Sequence, residues 1–142
     1  FVSLSEMLPN LTEFDCKNVE ALPDNAFKNC KNLHTASIDN VAVIGDYAFE
    51  GCTSLSEITL PAGVWQIGHK AFRNCVSLQT LVIPGNVVHL QAEVFDGWTE
   101  EQTIFAMSPS APASWNDLDY LKAKIYWAGE WEYVDGVPVP KT

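Results

Sequence analysis

Residues 44–61 read "IGDYAFEGCTSLSEITLP" and residues 67–84 read "IGHKAFRNCVSLQTLVIP", nearly the same phrase twice in succession. Two residue ladders agree on the period. Phe27, Phe49, Phe72 and Phe95 follow one another at 22, 23 and 23 residues, and Leu11, Leu33, Leu55 and Leu78 at 22, 22 and 23. Fixed-period self-similarity of this kind is the signature of an array of stacked units. A unit of 22 or 23 residues is too small to bury its own apolar side chains. Stacking like residues over like residues gives it a shared core, with strands pairing in parallel. The expectation is a right-handed α/β solenoid.

Within one unit the hydrophobic period changes. Ala48, Phe49, Cys52 and Leu55 fall on one face of a short helical or 3₁₀ turn. Ile58 and Leu60 then alternate with Glu57 and Thr59 as in a strand, which Pro61 ends. The residues around Phe27 and Phe72 repeat this reading. "IDNV" at 38–41 lacks one loop residue present in "IPGNV" at 83–87, which accounts for a 22-residue spacing. Partial units stand at both ends, with Leu11, Phe14 and Cys16 in the first. Gly45 and Gly68 recur at the bend before the turn, a backbone role. Three of the four cysteines, Cys30, Cys52 and Cys75, occupy one repeat position. Stacked side chains have parallel Cβ vectors, poor geometry for a disulfide, so buried free thiols are expected.

The pattern IGxxAFxxCxSLxxIxIPxxV resembles the BspA-type (Treponema pallidum-type) leucine-rich repeat over roughly residues 8–108. The segment "FDGWTEEQTIFAMSPSAPASW" at 95–115 resembles the Trp-containing ending of such arrays. The resemblance implies a leucine-rich-repeat solenoid with parallel strands on its concave face, short helical turns and a C-terminal Trp-containing cap. It also implies a secreted or cell-surface setting and adhesion or protein recognition, with no family-wide catalytic residues. Trp98 in the ladder Cys position and Glu101 in the ladder Leu position mark an array that is ending. About five repeat units, the first and last incomplete, are expected over residues 1–112, and a cap with a short helix, a strand and a tail over 113–142. Ser114 and Asp117 have capping spacing for that helix; "KIYW" at 124–127 reads as its strand. "EWEYVDGVPVP" at 130–140 alternates around Asp135-Gly136 as a hairpin. Trp98, Trp115 and Trp127 are expected to plug the end of the core, while Trp131 and Tyr133 are a candidate sugar platform.

The formal net charge of −10 disfavours nucleic acid, whose binders need Lys/Arg stripes, and adsorption to anionic lipid. No apolar run reaches the roughly 20 residues that span a bilayer, so no membrane insertion is expected. The opening "FVSLSEM" reads as a cut within a longer chain, so any export signal is expected upstream of Phe1. His34, His69 and His89 fall in three repeat registers and form no zinc motif, so they are expected as surface residues and no metal site or cofactor is assigned. No nucleophile elbow or phosphate loop is present, and no catalytic role is expected.

Binding chemistry belongs on the outward strand positions. Strand alternation sets Glu13 and Asp15, Thr35 and Ser37, Glu57 and Thr59, Thr80 and Val82, and Thr103 and Phe105 side by side. That face runs from acidic through hydroxyl-rich to apolar, and a protein or glycan ligand is expected there. The competing reading is a passive spacer within a larger surface protein. On the other flank Ala42, Trp65 and Val88 form an apolar stripe, either a second packed layer or an exposed patch.

Overall fold

The computed structural model describes residues 3–142. The column of phenylalanines is its spine. Phe27, Phe49 and Phe72 stack with ring centroids 5.2 and 5.3 Å apart, tilted by only 13° and 7°, and Phe95 continues the column at 6.3 Å. All four rings are at most 1% exposed. Burying each contributes about 1.5–3 kcal/mol, and like residues from adjacent coils supply one another's cover. Leu33, Leu55 and Leu78 form a parallel column with no exposed surface at all.

Each coil crosses from one strand face, through a loop, to a second strand face, and returns along an edge of turns. On the first face β1 (Glu13–Asp15) pairs in parallel with β3 (Thr35–Ser37). A single bridge then joins Thr35 to Glu57. The ladder resumes with β6 (Thr80–Ile83), β8 (Thr103–Ala106) and β9 (Lys124–Tyr126), again parallel. Residues 58–60 keep the expected alternation of burial but form no strand, so the first face is two sheets and not one. The opposite flank is continuous: β2 (Ala21–Leu22), β4 (Val43–Ile44), β5 (Gln66–Ile67) and β7 (His89–Leu90) make one four-stranded parallel sheet. Its two-residue strands are too short to leave an alternation in the sequence.

The turn edge differs from the helical segments expected. Hydrogen bonds from residue i+3 to i recur, as in Lys28 N–H to Asn25 C=O and Cys30 N–H to Phe27 C=O, yet no helix forms. The reason is that each coil carries two left-handed residues four apart. Asn25, Tyr47, Lys70 and Glu93 have φ between 52° and 65°, and Asn29, Gly51, Asn74 and Gly97 between 62° and 83°. A left-handed residue stops helix propagation. The edge is thus a chain of tight turns whose remaining N–H groups point to the next coil. Phe27, Phe49 and Phe72 each donate their backbone N–H to a carbonyl of the following coil, on Ala48, Ala71 and Val94, at 2.7, 2.8 and 3.0 Å.

Coils approach so closely at the bend that only glycine fits. A Cβ on Gly45 would lie 2.6 Å from Asp24 N, and one on Gly68 2.5 Å from Asp46 N. Neither glycine has a positive φ, so the requirement is space and not conformation.

At both ends of the described array, segments outside the repeat pattern bond to the outer coils. At the start, α1 (Leu4–Met7) lends Leu4 N–H to Ala26 C=O at 3.2 Å, and the Ser3 hydroxyl donates to Lys28 C=O at 2.7 Å. At the other end the Phe95 N–H donates to a side chain of the segment that follows, the Tyr120 hydroxyl oxygen, at 3.1 Å. The short helix expected after Ser114 is absent. Ser114 spends its hydroxyl on Val88 C=O, and Asn116 N–H donates to Leu90 C=O at 2.9 Å. Main-chain bonding to the last coil holds this segment extended, with turns at 113–114 and 119–120.

Candidate functional site

The first strand face divides into an open half and a covered half. In the open half, Glu13, Asp15, Thr35, Ser37, Glu57 and Thr59 line one depression of about 660 Å³. Strand pairing creates this grouping: Glu13 stands opposite Thr35, which bridges to Glu57, and Asp15 stands opposite Ser37. Asp39 also lines it. It occupies the place held by Pro61 and Pro84 in later coils, and that departure from the repeat was the sequence signal for it. Asp15 is engaged locally, accepting from Lys17 N–H at 3.0 Å and lying 3.6 Å from the Lys17 ammonium. The remaining carboxylates of the depression are Glu13, Asp39 and Glu57, all exposed.

Further along, Thr80 is exposed and Val82 and Thr103 are half-buried, but none lines the depression. Phe105 overturns its assignment as a ligand contact, being only 2% exposed. Its ring stacks on Tyr126 at 5.6 Å and meets Trp131 at 5.3 Å. Trp131 belongs to a hairpin of β10 (Trp131–Val134) and β11 (Val137–Pro140), turned at Asp135-Gly136 with both residues at positive φ. The Trp131 indole N–H donates to Ala106 C=O at 2.9 Å, which clamps the hairpin over that end of the face. Strand alternation points Phe105 outward correctly; a later segment then covers it, and the repeat pattern contains no trace of that. The same contact removes Trp131 from the candidate sugar platform, leaving Tyr133, 51% exposed.

The cysteines behave as small buried residues. All four are free thiols. Burial pushes the Cys16 thiol up to about 11 and also raises Cys30, Cys52 and Cys75. Cys52 and Cys75 each donate to a column carbonyl one coil back, Phe27 and Phe49, at 3.1 Å. Trp98, in the next register, makes the same bond through its indole N–H to Phe72 at 2.9 Å. The substitution thus keeps the donor and adds bulk at the end of the column. Trp115 donates to Val87 C=O at 2.7 Å and lies 5.9 Å from the half-buried Trp127.

On the other flank Trp65 and Val88 are 41% and 44% exposed, so the apolar stripe is open and not under a second layer. His34 and His69 are exposed, and His89 is half-buried with its ring 5.8 Å from Trp65. Among the described residues no three His, Cys, Asp or Glu side chains are grouped to hold a metal ion. None of the described helices is long and apolar enough to cross a membrane.

A solved leucine-rich cell surface protein from Faecalibacterium prausnitzii A2-165 is similar in fold, with a TM-score of 0.65 at 23% identity. The match covers 84% of this chain and 33% of that one, so this chain spans a third of the neighbour's length. No curated protein matches in sequence. The family model described as the BspA type leucine-rich repeat region matches residues 7–108 in six copies. With the Phe column and parallel ladders formed by those same residues, the chain belongs to the BspA-type leucine-rich repeat family.

Proposed function

We propose that the domain is a noncatalytic binding or adhesion module of a cell-surface or secreted protein, recognising a protein or glycan through the open half of its strand face. The observation that carries this is the depression of about 660 Å³ lined by outward side chains the fold itself does not need. Core residues hold the coils together, which leaves Glu13, Thr35, Ser37, Glu57 and Thr59 free to vary without loss of the scaffold. Family membership and the surface location of the structural neighbour support the setting.

The test is a binding screen of the domain against extracellular-matrix proteins and a glycan array, repeated with Glu13, Glu57 and Thr59 changed together to Ala. A tenfold or greater loss is expected, about 1.4 kcal/mol. Unchanged affinity for a retained ligand removes the strand face from the binding surface. A wild-type domain that retains nothing on either panel supports the passive-spacer reading instead.

A further inference from the structure

The turn residues that follow each column Phe alternate in a way the 22-to-23-residue period does not require. They read Lys28-Asn29, Glu50-Gly51, Arg73-Asn74 and Asp96-Gly97. Charge alternates along this edge. Lys28 lies 3.9 Å from Glu50, Glu50 lies 3.5 Å from Arg73, and Arg73 lies 3.0 Å from Asp96. Shape alternates in step. All four second residues are left-handed, a conformation open to both Asn and Gly. Backbone conformation alone therefore leaves the choice between them free.

The neighbour makes the choice. A Cβ on Gly51 would sit 2.3 Å from Asn29 Oδ1, and a Cβ on Gly97 would sit 2.1 Å from Asn74 Oδ1. Each Asn side chain occupies the space over the next coil that the Gly leaves empty. From Gly51 to Asn74 no side chain reaches across, and Glu50 with Arg73 sets the pairing there. Arg73 forms ion pairs in both directions, with Glu50 behind and Asp96 ahead.

We infer that the structural period of the turn edge is two coils, and that the cation-Asn and carboxylate-Gly signatures determine which coil is accepted beside which. A coil beside its own kind meets like charge and, between two Asn coils, a side chain where there is no room. The Phe, Cys and Leu columns are identical through the Phe27, Phe49 and Phe72 coils, so the core does not tell these coils apart. The alternation supplies the discrimination that the core lacks.

The test uses the full chain and thermal unfolding. The first variant, E50R with G51N, gives the Phe49 coil the signature of both its neighbours. The second inverts the whole edge: K28E, N29G, E50R, G51N, R73E, N74G, D96R and G97N. Its net charge and its number of Gly and Asn residues equal those of the wild type. The first variant is expected to lose about 5 °C or more in Tm, or not to fold, and the inverted variant to recover at least half of that loss. A first variant as stable as the wild type overturns the inference. So does an inverted variant as damaged as the first, because the positions would then matter individually and not as pairs.

Discussion

Tyr120→Phe isolates a single group at the end of the array. Every other column Phe gives its backbone N–H to a carbonyl of the coil that follows, whereas Phe95 gives it to the Tyr120 hydroxyl at 3.1 Å. The substitution keeps the ring and removes the acceptor. Leaving a buried donor unsatisfied costs about 1–3 kcal/mol, and the half-buried setting places this one in the lower part of that range, about 1–2 kcal/mol. For a chain of this size the loss corresponds to a Tm lowered by about 3–6 °C. Tyr133→Phe, at an exposed hairpin position, is the control and should stay within about 0.5 kcal/mol of wild type. The pH dependence gives a second reading. Burial, the largest cause, lifts the Tyr120 pKa from 10.0 to about 12. The folded state therefore holds this proton more tightly than the unfolded chain. Its contribution is complete below pH 10 and is lost as the pH rises from 10 toward 12. Phe does not titrate, so the gap between wild type and variant in urea unfolding should be constant up to about pH 10 and narrow above it. No gap at neutral pH refutes the assignment of Tyr120 as the terminal acceptor of the column, and a gap that persists unchanged to pH 12 refutes the burial that raises its pKa.

Two further outcomes test the packing. Gly45→Ala and Gly68→Ala each force a Cβ to within 2.6 Å of neighbouring main chain and should cost about 2–3 kcal/mol in denaturant unfolding, while Gly63→Ala, with nothing within 4 Å, should be neutral or stabilising by about 0.5 kcal/mol. The four thiols should ignore Ellman's reagent at pH 8 in the native state and react together on unfolding, since all are buried and burial raises each pKa. A native thiol that reacts quickly contradicts the packing around it.

What could be read from the residues was whatever the repeat wrote more than once. Phe49 and Phe72 lie one unit apart in sequence and 5.3 Å apart in space because period and stacking are the same fact. The outward positions Glu13, Thr35 and Glu57 were legible for the same reason, and they share one depression. Apolar spacing alone gives a short helical or 3₁₀ turn, because it cannot register the left-handed Tyr47, just before the spaced residues, or Gly51, among them. Single-copy features were the least visible. The hairpin over Phe105 and the α1 contacts to the Phe27 coil join segments with no counterpart elsewhere in the chain. Tyr120 is the instructive case: its role follows from where the array stops, which no single unit can express.

The column Lys28, Glu50, Arg73 and Asp96 has an electrical consequence for the whole molecule. Its two cations and two carboxylates cancel, so the formal charge of −10 resides entirely on the rest of the protein, the exposed Glu13, Asp39 and Glu57 among its carriers. The depression, in contrast, is lined by Glu13, Asp15, Asp39 and Glu57 and by no Lys or Arg. Beside a polyanionic sugar coat or lipid headgroups, repulsion acts on this cation-free depression and disfavours its facing that surface. The strand face is then held away from it, presented outward to whatever lies beyond.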